Sequence, residues 1–323
     1  MLAAPTLRPA PLAGVLAAFA AVYVIWGSTY LAIRFAIETL PPFGMAGVRF
    51  LTAGAVLYAL GRARGAARPT GPQWRASALI GALLLLGGNG GVVWAEQRIP
   101  SGVAALLVAG MPLWMVLLDW ARPGGVRPTR GMVLGLALGI AGITVLVGPA
   151  DLVGGGRIDP LGAGAVLLGS FFWATGSLYA RSAPTPKETL LAVGMQMLAG
   201  GALLVMAGLL AGEAPRFDAS AVSARSLLGL AYLITFGSIV AYTAYVWLLG
   251  VASAARVATY AYVNPIVAVL LGWALADEPL TPRVLVAAAV IVGAVVLIVR
   301  ARPAQAPEEP AEAVAAPGAC KVP

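Results

Sequence analysis

Long apolar stretches separated by short polar breaks run through most of this sequence and limit the folds that it can adopt. An α-helix rises about 1.5 Å per residue, so roughly 20 apolar residues cross the hydrocarbon core of a bilayer, which is about 30 Å thick. About ten such stretches follow one another. Of the 323 residues, 60% are hydrophobic and 11% are charged, against about 25% charged in soluble domains. The sequence therefore predicts an all-α integral membrane protein.

Proline, glycine and arginine in the breaks set the limits of ten predicted transmembrane helices. The predicted spans are 12–36, 42–61, 76–97, 101–120, 131–148, 160–180, 189–211, 226–249, 254–275 and 283–300. The first is longer than the apolar core of a signal peptide, roughly 7–15 residues, and is interpreted as a retained helix. Short tails remain at 1–11 and 301–323, and the proline- and glutamate-rich composition of the second is typical of disorder.

The distribution of positive residues indicates the orientation. Ten spans place both termini on one side, and 13 Lys and Arg residues lie in the tails and loops of that side, against 6 in the other loops. Arg49 and Arg256 fall within spans. Because positively charged loops stay in the cytoplasm, both tails are predicted to be cytoplasmic.

The two halves of the chain echo each other. Trp26-Gly27-Ser28-Thr29 aligns with Trp173-Ala174-Thr175-Gly176, 147 residues later, and Trp94 and Pro112 align with Trp247 and Pro265, 153 residues later. These echoes predict two five-helix repeats, 12–150 and 151–300. Since five is odd, the second repeat enters the membrane inverted, an architecture typical of secondary transporters that work by alternating access.

Several blocks carry a family resemblance. The most distinctive are Tyr23-Val24-Ile25-Trp26-Gly27-Ser28-Thr29-Tyr30 and Tyr260-Ala261-Tyr262-Val263-Asn264-Pro265, accompanied by Met45–Phe50, Gly88–Gly90 and Phe236–Ile239. Over residues 12–300 the chain resembles the bacterial drug/metabolite transporter superfamily, and in particular its ten-helix EamA-repeat exporters. The resemblance implies a multi-pass inner-membrane exporter of small metabolites, amino acids or drugs, with a central cavity and no nucleotide-binding domain. The order of residues in Trp173-Ala174-Thr175-Gly176, and Asp119 near the end of the fourth helix, depart from the family pattern.

Polar and aromatic side chains within the spans are the candidates for lining a substrate cavity, because a polar group in the membrane normally faces a cavity or a partner. The candidates are Ser28, Thr29, Arg49, Asn89, Trp173, Ser177, Tyr242, Tyr245, Tyr260, Tyr262 and Asn264.

Each candidate also has a structural interpretation. The guanidinium of Arg49 suits a carboxylate, but it could instead bond backbone carbonyls. Asn264 could accept the role of hydrogen-bonding the carbonyl that Pro265 leaves unpaired. Asn89, which lies among glycines, could serve merely to hold two closely packed helices together. Aromatic faces suit flat or cationic solutes, although most membrane tryptophans, Trp26 included, are expected to be interfacial anchors.

Glu96 is the candidate for proton coupling. A coupling site usually needs an Asp, Glu or His in the membrane interior, and the sequence has no His. The carboxylates of the spans, Glu96, Asp119, Asp277 and Glu278, all lie at span ends, and Glu96 is the best candidate among them. An ion pair with Arg98, or contact with solvent, would explain Glu96 equally well.

Missing residue types exclude other functions. Without His, and with Cys320 as the single cysteine, the sequence predicts no metal site and no cofactor. Neither Lys187 nor Lys321 follows a glycine, so the P-loop that would bind ATP is lacking. The sequence predicts a non-enzymatic transporter of small molecules that contacts membrane lipid and no nucleic acid; whether it forms a homodimer stays open. The alternatives are a lipid-modifying membrane enzyme, whose usual acidic pairs or nucleophiles the spans lack, and a membrane scaffold.

Overall fold

The computed structural model describes residues 10–121, 127–147, 158–180, 182–251 and 260–301. Within these ranges the chain is helical and has no strand. Seven of the described helical stretches are long and apolar enough to cross a membrane: Leu12–Ala36, Pro42–Ala63, Gly71–Ala95, Ser101–Leu118, Pro160–Ala180, Thr189–Leu210 and Ala224–Tyr245. Three shorter apolar helices are Arg130–Leu146, Val263–Ala276 and Pro282–Ile298. The predicted all-helical membrane class is confirmed.

We number the helices in chain order. They are α1 (Leu12–Ala36), α2 (Pro42–Ala63), α3 (Gly71–Gly81, the π-helical Ala82–Asn89, and Gly90–Ala95), α4 (Ser101–Val108, then Met111–Ala121), α5 (Arg130–Val147), α6 (Pro160–Ala180), α7 (Thr189–Leu210), α8 (Ala224–Tyr232, the π-helical Leu233–Val240, and Ala241–Val251), α9 (Tyr260–Ala276) and α10 (Pro282–Ala301). Two 3₁₀ turns, Ala214–Arg216 and Ala219–Ala221, lie between α7 and α8.

The predicted spans coincide with these helices except at a few ends. Helix α3 begins at Gly71, five residues before the prediction, because the backbone N–H of Thr70 donates to Gln73 Oε1 (2.9 Å) and Pro72 fits the first turn. Helix α4 is broken after Val108, just before Pro112, which has no backbone N–H to give. The start of the predicted span 254–275, most of both tails, the Gly154–Gly156 linker and Cys320 lie outside the described residues.

Equivalent helices of the two repeats pack antiparallel through glycines. A Cβ built on Gly47 would lie 2.9 Å from Val205 N, and one built on Gly54 would lie 2.8 Å from Leu198 N, so residue numbers rise along α2 as they fall along α7. Small residues let membrane helices approach this closely. The pair α5 and α10 has the same arrangement, since Gly135 contacts Ile298 and Gly142 contacts Ile291. Antiparallel pairing of equivalent helices is the geometry that an inverted repeat requires.

The remaining contacts follow the same two-fold relation. Helix α1 packs against α8 and α9 of the second repeat, and its equivalent α6 packs against α3 and α4 of the first. The π-helical segments occupy corresponding places, each in the middle of the third helix of its repeat. The centre of the bundle is therefore bounded by helices from both repeats.

Candidate functional site

A cavity of about 130 Å³ lies at the centre, between the two repeats. Every helix except α5 and α10 contributes to its wall. Its described lining residues are Trp26, Thr29, Tyr30, Ile33, Arg49, Phe50, Leu85, Asn89, Val92, Ala105, Val108, Ala109, Met111, Gly169, Ser170, Trp173, Met197, Gly237, Ser238, Tyr242, Tyr260, Asn264 and Pro265.

Arg49 brings a positive charge to this wall from α2. The residue is only 5% exposed, and its Nε donates to Ser238 Oγ of α8 at 2.8 Å. Its guanidinium carbon lies 4.7 Å from the centroid of the Phe50 ring. Nη1 is buried and has no hydrogen-bond partner. The alternative of a purely structural arginine bonded to backbone carbonyls does not match these contacts.

An aromatic cluster, which we define as Trp26, Tyr242, Tyr245 and Tyr260, lies along α1, α8 and α9. The Trp26 ring lies 5.0 Å from that of Tyr245, 5.2 Å from Tyr260 and 6.1 Å from Tyr242, measured between centroids. Its indole Nε1 donates to the carbonyl of Gly237 at 3.2 Å. The expectation that Trp26 is an interfacial anchor is wrong, because the indole faces the interior of the bundle. Tyr242 and Tyr260 also line the cavity, whereas Tyr245 supports them from outside the lining.

Another part of the wall comes from α3 and α6. Trp173 lines the cavity and lies so close to α3 that a Cβ on Gly88 would be 2.7 Å from its Cε3 atom. Asn89 and Ser170 also line the cavity, and the buried Asn89 Oδ1 and Ser170 Oγ have no hydrogen-bond partner. Together with Arg49 Nη1, three unpartnered buried polar atoms therefore belong to residues of the lining.

The hydroxyls of the opening motif point in different directions. Ser28 Oγ donates to the Ile25 carbonyl (2.8 Å) and lies 2.7 Å from the Tyr232 hydroxyl, away from the cavity lining. Thr29 lines the cavity, but its hydroxyl donates to the Trp26 carbonyl at 2.6 Å. Ser177 likewise donates to the Trp173 carbonyl (2.7 Å) and does not belong to the lining. Tyr262 falls in α9, and its side chain lies outside the described part of the chain.

Asn264 serves structure and cavity together. In the amide orientation that satisfies its neighbours, its nitrogen donates to the carbonyls of Tyr23 (3.2 Å) and Tyr260 (3.3 Å). The residue is 7% exposed and lines the cavity beside Pro265. Asn264 thus joins α9 to α1 next to the position where Pro265 interrupts the helical hydrogen bonds.

Glu96 lies directly after α3 and is completely buried. Neither carboxylate oxygen has a hydrogen-bond partner, and Arg34 Nη1 donates to its backbone carbonyl at 3.1 Å. Arg98 pairs with Asp159 instead (3.0 Å), and this guanidinium holds the pKa of the Asp159 carboxyl below its usual value. Neither predicted alternative, an ion pair with Arg98 or contact with solvent, therefore accounts for Glu96.

Two carboxylates of the second repeat cap helices of the first. Glu213 accepts from the N–H groups of Phe43 (3.0 Å) and Gly44 (2.8 Å) at the start of α2, and Glu278 does the same at the start of α4, at 2.7 and 3.0 Å. A negative charge at a helix N-terminus is stabilising. We call the end of the bundle where α2 and α4 begin the α2/α4 end; these hydrogen bonds between the two repeats stabilise it.

Several lining residues were not among the predicted candidates. Ser170 and Ser238 are single small polar residues in apolar helices, and sequence offers no signal that separates them from serines that merely pack. Ser238 was visible only as part of the Phe236–Ile239 block. Trp26 carried a stronger signal, its alignment with Trp173, but the commoner anchoring role of membrane tryptophans outweighed it.

Comparison with known proteins identifies the fold's family. A family model described as the EamA-like transporter family matches residues 12–148 and again 160–300. The chain belongs to the EamA-like transporter family. The two matches are the two repeats, and they bear out the resemblance seen in the sequence.

Two relatives of the EamA-like chain are named as a transporter and as an efflux pump. It is 43% identical over 279 residues to the uncharacterized inner membrane transporter YedA of Escherichia coli K12, a match that covers 86% of this chain and 88% of the relative. It is 27% identical over 274 residues to a probable amino-acid metabolite efflux pump of the same bacterium, covering 80% and 86%. One solved crystal structure superposes with a TM-score of 0.61 at 25% identity, over 90% of this chain and 99% of that one. The EamA-like protein is a membrane transporter.

Proposed function

We propose that this protein is a secondary transporter with ten transmembrane helices, which exports small metabolites, amino acids or drug-like solutes across a bacterial inner membrane by alternating access. The observation that carries the proposal is the central cavity, which helices of two inverted repeats enclose and whose largely apolar and aromatic wall includes a few polar side chains. Such a site can open to either side as one repeat rocks against the other. The seven long apolar helices and the three shorter ones support the count of ten.

The paired π-helical segments support a rocking movement. They interrupt the regular hydrogen bonding of α3 and α8 and contribute Leu85, Asn89, Gly237 and Ser238 to the cavity wall. π-Helical turns frequently mark functional sites, and an interrupted helix bends more easily than a regular one. Helices α3 and α8 are therefore the proposed pivots, and the cavity is the proposed substrate site, with Thr29, Arg49, Asn89, Trp173, Tyr242, Tyr260 and Asn264 in contact with solute.

The proposed orientation has both termini in the cytoplasm, with the α2/α4 end facing the periplasm. Charge supports it: the end of the bundle where α2 finishes and α3 begins carries Arg62, Arg64, Arg68 and Arg75. Arg127, Arg130, Lys187 and Arg300 lie at the same end, whereas the described residues of the α2/α4 end include fewer positive side chains, namely Arg34, Arg98, Arg216, Arg225 and Arg283. A membrane-impermeant maleimide should label Cys320 in inverted vesicles and spare it in intact cells; labelling of intact cells would reverse the orientation.

Proton coupling is proposed to run through Glu96. The groups that interact with it electrostatically are Arg34 of α1, Arg49 of α2, Tyr30 of α1 and Glu278 after α9. A buried, ionised carboxylate without a hydrogen-bond partner is unfavourable. Glu96 should therefore bind a proton while these neighbours enclose it and release the proton when a conformational change exposes it to water. A pH gradient should drive transport in wild-type proteoliposomes and fail to drive it in Glu96→Gln. Gradient-driven transport that persists at the wild-type rate in this variant would rule out Glu96.

The transport proposal is tested by a screen of the purified protein in liposomes against amino acids, nucleobases, organic acids and organic cations. Transport of at least one class above protein-free liposomes is expected, and it should fall when Trp173 is replaced by Ala in the cavity. A folded protein that moves none of these solutes would contradict the proposal. Catalysis is not proposed, since the relatives are transporters, and neither ATP, nucleic acid nor a cofactor enters the mechanism; the chain is proposed to act in contact with membrane lipid.

A further inference from the structure

We propose that the central cavity contains a carboxylate subsite at Arg49, and that the transported solutes are small organic carboxylates whose apolar body packs against the aromatic cluster. The inference rests on the proposed transport function and names the class of substrate for that site. It selects organic carboxylates over neutral solutes and organic cations, whereas the transport function alone does not distinguish these three classes.

The first observation is the unmet hydrogen-bonding capacity of Arg49. A guanidinium has five N–H donors in a planar fork, and only Nε has a partner, Ser238 Oγ at 2.8 Å. Nη1 is buried without a partner although the residue lines the cavity. An unmet buried donor on a charged group is unfavourable, and the fork matches the two oxygens of a carboxylate better than any single acceptor.

Ser238 fixes the direction of this fork. Because Nε is held by Ser238 and the ring of Phe50 lies 4.7 Å from the guanidinium carbon, the side chain is supported on two sides. Arg49 Nη2 lies over the backbone of Gly237, 3.1 Å from where a Cβ would be. The absence of a side chain at Gly237 makes room for the guanidinium. A site whose rotamer is held in this way loses little conformational entropy when a ligand binds.

The second observation is the sign of the charge. Arg49 is the one Lys, Arg, Asp or Glu among the described lining residues. Glu96 interacts with it electrostatically but does not belong to the lining. At about 4 Å and an effective dielectric constant of about 20, repulsion between Arg49 and a cationic solute exceeds a cation–π attraction by at least about two-fold. The aromatic cluster therefore does not make this a site for organic cations.

The third observation is size and polarity. Apart from the polar atoms of Arg49, Asn89, Ser170 and a few hydroxyls, the wall is apolar and aromatic. A cavity of about 150 Å³ in another protein accommodates benzene, so a volume of about 130 Å³ suits a body of one ring or a short branched chain. Trp26, Tyr242 and Tyr260 offer ring edges and faces to such a body. The substrate is a monocarboxylate of this size.

The test compares three probes of one shape in different charge states: phenylacetate, phenylacetamide and 2-phenylethylamine. Their binding to the purified full-length protein in detergent is measured by titration calorimetry at neutral pH. The wild-type protein should bind phenylacetate at least ten-fold more tightly than the amide and the amine. Equal affinity for the three probes, or no binding of phenylacetate, would overturn the proposal without any variant.

Variants assign the preference to Arg49. Arg49→Gln should lower the affinity for phenylacetate at least ten-fold and leave the affinity for phenylacetamide within two-fold of the wild-type value. Because removing a buried charge can impair folding, Arg49→Lys keeps the charge without the fork and should give an intermediate loss. The matched control is Arg98→Gln, an arginine outside the lining that pairs with Asp159, and it should bind like the wild type. Unchanged phenylacetate affinity in both Arg49 variants would reject the subsite.

Transport of the same probes in proteoliposomes separates this inference from the function on which it rests. Phenylacetate binding that depends on Arg49, with no solute crossing the membrane, would keep the subsite and reject the exporter. Transport of neutral or cationic solutes that is unaffected by Arg49→Gln would keep the transporter and reject the subsite. Selective, Arg49-dependent transport of phenylacetate would support both.

Discussion

Replacing Gly27 by Ala should separate α1 from α9, and the structure gives the size of the effect. A Cβ built on Gly27 lies 2.6 Å from the Cβ of Val267 and 2.8 Å from its Cγ1, whereas non-bonded carbons settle at about 3.5–4.0 Å. The two helices must therefore move apart by roughly 1 Å. Both carry cavity-lining residues, so the movement reaches the proposed substrate site.

The stability change is the balance of two terms. Overpacking a well-packed contact costs about 1–3 kcal/mol, while alanine is favoured over glycine in a helix by about 1 kcal/mol. Gly27→Ala should therefore lower the free energy of unfolding by up to about 2 kcal/mol. The matched control is Gly164→Ala in α6, where a Cβ would meet no atom within 4 Å. This substitution should raise the free energy of unfolding by about 0.5–1 kcal/mol.

Thermal unfolding of the purified variants in detergent, followed by tryptophan fluorescence, measures the difference. For a chain of this size about 1 kcal/mol corresponds to roughly 2–4 °C in Tm, so Gly27→Ala should melt several degrees below Gly164→Ala. In the double variant with Val267→Gly, which removes both clashing carbons, the two substitutions should destabilise less than the sum of their separate effects. The reasoning is refuted if Gly27→Ala melts at or above Gly164→Ala.

Three further predictions concern contacts seen between the repeats. Glu213→Gln leaves one acceptor oxygen and no charge at the start of α2, so the free energy of unfolding in detergent should fall by about 0.5–2 kcal/mol and the Tm should fall with it. An unchanged Tm would show that the cap contributes nothing. Asp159→Asn breaks the exposed pair with Arg98 and should change stability by less than about 1 kcal/mol in the same assay, and a larger loss would contradict the assignment of this pair to the surface. Trp26→Phe keeps an aromatic ring but loses the hydrogen bond to Gly237, so transport should slow in proteoliposomes while the Tm falls by only a few degrees; wild-type transport would remove Trp26 from the proposed site.

The length of the apolar stretches was enough to predict the helices, because in lipid each such stretch must satisfy its own backbone hydrogen bonds. The echoes of Trp26, Trp94 and Pro112 in Trp173, Trp247 and Pro265 are each weak, but their common order along the chain predicted two repeats. Interruptions within helices could not be predicted in this way. The π-helical segments at Ala82–Asn89 and Leu233–Val240 left no recognisable pattern, since a π-turn depends on how neighbouring helices pack rather than on local composition.

The direction of each polar side chain was decided by tertiary structure. Ser28 and Thr29 are adjacent in the sequence, yet one hydroxyl lies beside Tyr232 on α8 while the other residue lines the cavity. Successive positions on a helix differ by about 100°, so a prediction needs the rotation of α1 against its neighbours. That rotation is set by contacts between distant residues, above all the close approach of Gly27 to Val267.

The membrane class, the approximate helices, the internal repeat and the family could be predicted from the amino-acid sequence, because each depends on composition or on the order of residues along the chain. Tertiary contacts were needed to show that Trp26 faces inward, that Arg49 is held by Ser238 while its Nη1 has no partner, and that Arg98 pairs with Asp159 rather than Glu96. The reason is physical: a side chain's charge and shape are written in the sequence, but its partners are fixed by helix packing across the two repeats.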